Sequence, residues 1–139
     1  MIALDSDILT LMMQGNALIA SKVATIDVKN VALPIVVIEE VMRGRLVTIR
    51  RAQAGQTRID ITQAYDLFEN SLTACMQFPV LSYTPAAETL FSQWRAARIR
   101  VPTQDLRIAA ICASEKIPLA TRNIRDFSLI PNLNLETWN

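Results

Sequence analysis

Acidic residues stand just beyond the short apolar runs of this chain, and there is no histidine to work with them. Asp5 follows Met1–Leu4. Glu40 lies in the helical segment after Val31-Ala32-Leu33. Asp105 lies in the first turn of the segment that Pro102-Thr103 opens, and Asn123 and Asp126 follow Ile117–Thr121. Carboxylates held close repel one another, and their pKa values rise unless a cation neutralises them. Lysine is scarce (Lys22, Lys29, Lys116), so Arg122 or Arg125 could offset only part of that charge. A hard divalent ion with oxygen ligands, Mg2+ with Mn2+ as substitute, is the natural counter-charge. Such an ion lowers the pKa of bound water and clamps a phosphate for in-line attack. Without histidine, Ser–His and Cys–His catalysis and ordinary zinc sites are excluded.

If the acids are to meet, the intervening elements must carry them to one edge. Met1–Leu4 reads as a buried strand feeding a helix capped by Asp5-Ser6-Asp7. A second helix follows the Gly15-Asn16 break, over Ala17–Ile26. Val31–Leu33, closed by Pro34, is the second strand. The face Ile38–Met42–Leu46–Ile49 predicts a helix buried along that stripe. Ile59–Cys75 is a long helix carrying Ala64, Leu67, Phe68 and Leu72, and Val80–Tyr83 is a third strand. Thr84-Pro85 starts the next helix, with Leu90, Phe91 and Trp94 inward. A helix from Pro102-Thr103 to about Lys116, a strand over Ile117–Thr121, a short helix over Asn123–Phe127 and a strand over Asn134–Trp138 complete the chain. Alternating strands and helices predict a parallel sheet covered on both faces. Ligands bind beyond the carboxyl ends of such strands.

Each acid also has a simpler role. Asp5 or Asp7 could cap the first helix, and the simpler role is preferred for Asp7. Asp105 suits the positive end of a helix dipole. Glu39-Glu40 could be an exposed helix surface. Gly44 shares the face of Glu40, and a glycine inside a helix costs about 1 kcal/mol against alanine. Its missing side chain would leave room above that carboxylate.

In their order, LDSDIL, VIEEVMRG, PTQDLRIAAICA and LATRNIRDF resemble the PIN-domain nucleases, and among them the VapC-like toxins of bacterial toxin–antitoxin pairs. The resemblance spans nearly the whole chain, including the tail IPNLNLETW. It implies a single domain over residues 1–139. The implied fold is a three-layer α/β/α sandwich on a central, mainly parallel sheet of four to five strands. It implies that Asp5, Glu40 and Asp105 hold the metal. At the fourth acidic position this chain departs from many relatives: Asn123 stands where they carry Asp, with Asp126 three residues on. Thr103 matches a hydroxyl residue beside the third acid. The implied activity is Mg2+-dependent cleavage of RNA to 5′-phosphate ends, by the toxin of a pair whose antitoxin occupies the active-site groove.

Charge and cysteine usage bound the partners. The 139 residues carry 14 Lys and Arg against 13 Asp and Glu, a net charge of +1, so contact with a polyanion must be local. Arg43, Arg45, Arg50, Arg51 and Arg58 lie between Val41 and Ile59 with no acid among them, and Arg95, Arg98 and Arg100 form a second block. Arginine suits phosphate through its bidentate fork, so Arg43, Arg45, Arg50 and Arg51 are candidate RNA contacts. A solvated or protein-binding helix face is the alternative. Cys75 and Cys112 form no CxxC and read as buried thiols in a reducing compartment. No apolar run reaches the roughly 20 residues of a membrane span, and the amino terminus does not read as a secretory signal. The expectation is a cytoplasmic homodimer.

Two other readings compete. An apolar strand before Asp-x-Asp also resembles haloacid-dehalogenase-type phosphatases, with Asp5 as nucleophile. Leu9 stands where that family has Thr or Val, however, and no late GDxxxD segment follows. A non-catalytic RNA-binding or assembly module is the other, against which the full set of three acids argues.

Overall fold

The computed structural model describes every residue from Met1 to Asn139. Five strands form one sheet: β1 (Ile2–Leu4), β2 (Val31–Pro34), β3 (Val80–Leu81), β4 (Leu119–Thr121) and β5 (Leu135–Thr137). Their order is β3-β2-β1-β4-β5, and every neighbouring pair is parallel. Parallel neighbours need crossovers, and helices supply them. α1 (Ser6–Met13) and α2 (Ala17–Ala24) lead to β2, and α3 (Ile35–Gln53) and α4 (Ile61–Cys75) lead to β3. α5 (Pro85–Ala96) and α6 (Thr103–Glu115) return the chain to β4, and α7 (Ile124–Phe127) precedes β5. β1 through β3 step outward in one direction, and β4 then lands on the other side of β1. The strand order therefore reverses between β1 and β4, and a crevice opens beyond the carboxyl ends at such a switch point.

The central strands are shut off from solvent on both faces, which is why their sequences do not alternate. Ala3, Leu4, Ala32, Leu33, Leu119 and Ala120 are fully buried, and Leu9, Val37, Leu106, Ile108 and Ile111 pack over them from the helices in one core. Local chemistry starts the helices. Asn16 caps α2, Asp60 and Gln63 form a reciprocal capping box on α4, and Thr84 caps α5 with Pro85 behind it. Of these caps, only Thr84-Pro85 is expected from the sequence. α6 ends at Lys116, whose φ of 55° turns the chain toward β4.

Three sequence expectations need correction. The fully buried residues of α3 are Val36, Val37 and Val41; of the expected stripe, Ile38 and Met42 pack partly against the core and Leu46 is 46% exposed. The 19-residue α3 runs about 28 Å, whereas the four residues of β2 run about 13 Å. Only its first half lies over the sheet, and beyond that α4 is its main partner. On α4 itself the buried residues are Ala64, Ser71 and Cys75, while Leu67 and Leu72 are exposed. The third strand stops at Leu81 rather than Tyr83, because β2 ends at Pro34, the register partner of Leu81. No helix is long and apolar enough to cross a membrane.

Candidate functional site

Asp5 sits at the β1/β4 switch point. Its backbone N–H donates to the Ala120 carbonyl at 3.0 Å, which extends the strand pairing by one residue. Its side chain, 4% exposed, accepts from the Ser6 N–H at 2.8 Å through Oδ1 and from Thr121 Oγ1 at 2.7 Å through Oδ2. Cap and site are therefore not alternatives for Asp5, since separate oxygens serve the helix and the strand. Burial pushes its carboxyl up to about 7. The Thr121 hydroxyl opposes that rise, Asp7 adds to it, the Ser6 N–H opposes it, and Asp105 adds to it.

Asp105 enters from the first turn of α6 and is half-buried. Burial pushes its carboxyl up to about 6, followed by repulsion from Glu40, Asp126 and Asp7. Glu40, on α3, is half-buried and faces a cleft it shares with Asp7 and Gly44. A Cβ built on Gly44 would meet nothing within 4 Å, so the cleft is open at that point and would accommodate a larger residue there. Asp126 accepts from Asn123 Nδ2 at 3.1 Å, and Asn123 Oδ1 caps α7. The structure thus brings Asp5, Glu40, Asp105 and Asp126 into one electrostatic neighbourhood, with Asn123 holding Asp126.

Other candidates lie outside that group. Thr103 accepts a 2.9 Å hydrogen bond from Arg95. Arg43 is paired with Glu39 at 2.6 Å, and Arg50 and Arg51 occupy the last turn of α3. Only Arg45 of that block lines the cleft with Glu40.

Two residues matter more than their sequence context suggests. Asp7 reads as a cap in the sequence, but Asp5 makes the cap hydrogen bond, and Asp7 Oδ1 is buried with no hydrogen-bond partner. A buried carboxylate oxygen left without a donor is costly. The signal is present in the paired acids of Asp5-Ser6-Asp7. Thr121 looks like an ordinary β-branched strand residue, and only its partner across the sheet reveals its role.

The donor chemistry fits a hard divalent cation. Every acidic donor is a carboxylate oxygen, two carboxyls have raised pKa values, and the orphaned Asp7 oxygen lies in the same neighbourhood. No three acidic side chains converge on one ion position in this arrangement. Sharing one ion would therefore require these side chains to stand closer together than they do here.

The fold is the PIN-like α/β/α fold, and it recurs in solved toxin–antitoxin complexes. A chain of the VapBC2 complex from Rickettsia felis, bound to a DNA fragment from its promoter, superposes with a TM-score of 0.75 at 19% identity, covering 100% of both chains. A chain of the DNA-bound VapBC complex from Salmonella typhimurium gives 0.78 at 19% identity, again over 100% of both. A chain of FitAcB from Neisseria gonorrhoeae gives 0.79 at 17% identity, covering 97% of this chain and 96% of that one. At these identities the likeness is one of fold. No protein-family model matches the chain, and no curated protein matches it either.

Proposed function

We propose that this chain is a Mg2+-dependent endoribonuclease and the toxin of a toxin–antitoxin pair. One observation carries the chemical half. Asp5, buried at the sheet's switch point, stands in the company of Asp105 and of Asp7, whose Oδ1 is buried without a donor, an arrangement that a divalent cation would relieve. The biological half is supported by a fold shared along the full chain with components of VapBC complexes.

Asp5, Glu40 and Asp105 would hold the ion, with Asp126 as the fourth acid and Asp7 beside them. When bound, Mg2+ supplies an activated water at neutral pH and charge stabilisation for a phosphodiester. The remaining work falls to the protein. Thr121 fixes the rotamer of Asp5 from the next strand, and Asn123 fixes Asp126. The product ends would be 5′-phosphates. An antitoxin could silence the site by placing a basic side chain among the carboxylates, where it replaces the metal's charge. We further propose that the protein works as a homodimer in the cytoplasm.

The test is incubation of purified, partner-free protein with a panel of cellular RNAs in Mg2+, Mn2+ or EDTA. Cleavage in Mg2+ or Mn2+ that EDTA abolishes is the expected result. Cleavage undiminished by EDTA would overturn the metal assignment. Metal-independent RNA binding without cleavage would favour a non-catalytic module, and a phosphoaspartate trapped at Asp5 would favour a phosphatase. Expression of the chain alone should arrest growth, with rescue by a protein encoded beside it. Harmless expression of a soluble, active nuclease would leave a solitary enzyme instead.

A further inference from the structure

The cleft beside the carboxylates has two kinds of charge. It holds about 470 Å3 and is lined by Asp7 and Glu40 together with Arg45, Arg122, Thr10 and Gly44. That volume falls within the roughly 300–1,000 Å3 of small-ligand clefts. Neither arginine makes an ion pair, since the pairs in this structure are Lys29–Asp27 and Arg43–Glu39. Arg45 is nevertheless held in place. Its Nε donates at 2.8 Å to Oγ of Ser71 on α4, and Ser71 is 2% exposed. A buried serine thus orients a half-buried arginine through the one nitrogen that leaves both Nη groups unpartnered. Ordering a long side chain costs conformational entropy, and no carboxylate compensates here.

We propose that this cleft is a second phosphate subsite on single-stranded RNA. In it, Arg45 and Arg122 bind the phosphodiester next to the one at the carboxylates. The inference rests on the ribonuclease reading and deepens it. Asp7 and Glu40 repel a polyanion until a cation neutralises them, so a strand that must lie against them needs fixed positive charge one step away. The free Nη pair of Arg45 offers two parallel donors to two phosphate oxygens, the arrangement in which guanidinium is strongest. Ser71 is a positioning residue that aims this fork. An acidic peptide would meet the same arginines, and the partner-binding outcome of the experiment below distinguishes it.

The experiment measures binding apart from turnover. A fluorescein-labelled single-stranded RNA of mixed sequence is titrated with the full chain in EDTA, over a range of KCl concentrations, and followed by anisotropy. Arg45→Ala should weaken binding roughly ten-fold or more and lower the log–log salt slope by about 0.7, the value for one lost phosphate contact on a single strand. Arg45→Lys and Ser71→Ala keep the charge, so they should keep the slope while losing several-fold in affinity. Lys29→Ala, which removes a cation already paired with Asp27 and absent from the cleft lining, should leave the slope unchanged. If the wild type binds and cleaves RNA but Arg45→Ala has its slope and affinity, the subsite is overturned while the ribonuclease reading stands. If Arg45→Ala instead loses only the partner protein, the cleft belongs to that partner. A wild type that neither binds nor cleaves RNA overturns both.

Discussion

Thr121 Oγ1 donates a 2.7 Å hydrogen bond to Asp5 Oδ2 across 116 positions of sequence. The same oxygen accepts from the Asn123 N–H at 2.9 Å, and Asn123 in turn donates through Nδ2 to Asp126. A hydrogen-bonded path thus runs from the end of β1 through the end of β4 to the cap of α7, and it touches two of the acids, Asp5 and Asp126. Two parallel strands in register bring Thr121 to Asp5: Leu4 is opposite Ala120, so the next residue of each meets at the edge.

Thr121→Val keeps the shape and removes the donor. A buried hydrogen bond to a charged group is worth about 1.5–3 kcal/mol, and Asp5 would lose the strongest interaction that opposes burial. Urea unfolding at pH 8 in EDTA should show a loss of that order. The variant should also need more Mg2+ to reach half-maximal cleavage. An unchanged unfolding midpoint and Mg2+ requirement would show that the hydroxyl is dispensable.

The raised carboxyls make metal-free stability depend on pH in a definite direction. An unfolded aspartate titrates near 3.8, whereas folded Asp5 is at about 7 and folded Asp105 at about 6. Between those limits the folded state holds more protons, so stability falls as pH rises. The penalty is absent below about 4 and fully present above about 7. For buried Asp5, each tenfold difference in proton affinity between the folded and unfolded chain is worth about 1.4 kcal/mol. Urea midpoints in EDTA should be higher at pH 5 than at pH 8, and Asp5→Asn should flatten the difference. Saturating Mg2+ should raise the pH 8 midpoint most. A midpoint that rises from pH 5 to pH 8 in EDTA would contradict the burial of Asp5.

Replacing acid by amide separates charge from shape. Asp5→Asn and Asp105→Asn should each abolish RNA cleavage, while in EDTA they should melt no lower than the wild type because repulsion is relieved. Asp7→Asn is the sharper case. A simple cap residue would leave cleavage intact, whereas the unpartnered buried oxygen of Asp7 predicts a loss of at least roughly ten-fold, the equivalent of about 1.4 kcal/mol. Full activity in Asp7→Asn would return it to a structural role.

The order of elements and the edge at which the acids gather are legible in the sequence because they depend on local patterns. Apolar runs without alternation mark buried parallel strands, and Asp5 follows from where the first run ends; Glu40 and Asp105 stand inside helices, and the family resemblance of their segments is what singles them out. The inward face of α3 is not legible, because Ile38–Met42–Leu46–Ile49 is as regular a stripe as Val37–Val41. What decides between them is how far the helix overhangs a four-residue strand. Thr121 is hidden for a related reason: its hydroxyl acquires meaning only from the β1–β4 register. Asp7 is masked by its neighbour, since two acids two residues apart offer the same cap and the sequence does not say which takes it.

A last prediction concerns the spacing of the two helices that carry Glu40 and Asp105. Their immediate neighbours are joined: Gln104 Nε2 donates to Glu39 Oε1 at 2.7 Å, and Glu39 Oε2 is paired with Arg43. The hydrogen bond lies at the surface, where its net worth to folding is within about 1 kcal/mol, yet it ties α3 to α6 one residue from each acid. Gln104→Leu should therefore shift the melting temperature by only a few degrees while turnover at saturating RNA falls several-fold, since small displacements of reacting groups cost far more in rate than in stability. KM for RNA should change little, because Gln104 is not among the residues lining the cleft beside Glu40. Gln104→Glu sets a second carboxylate against Glu39 and should lower turnover further. A Gln104→Leu variant with wild-type turnover would show that α3 and α6 are held by their apolar contacts alone.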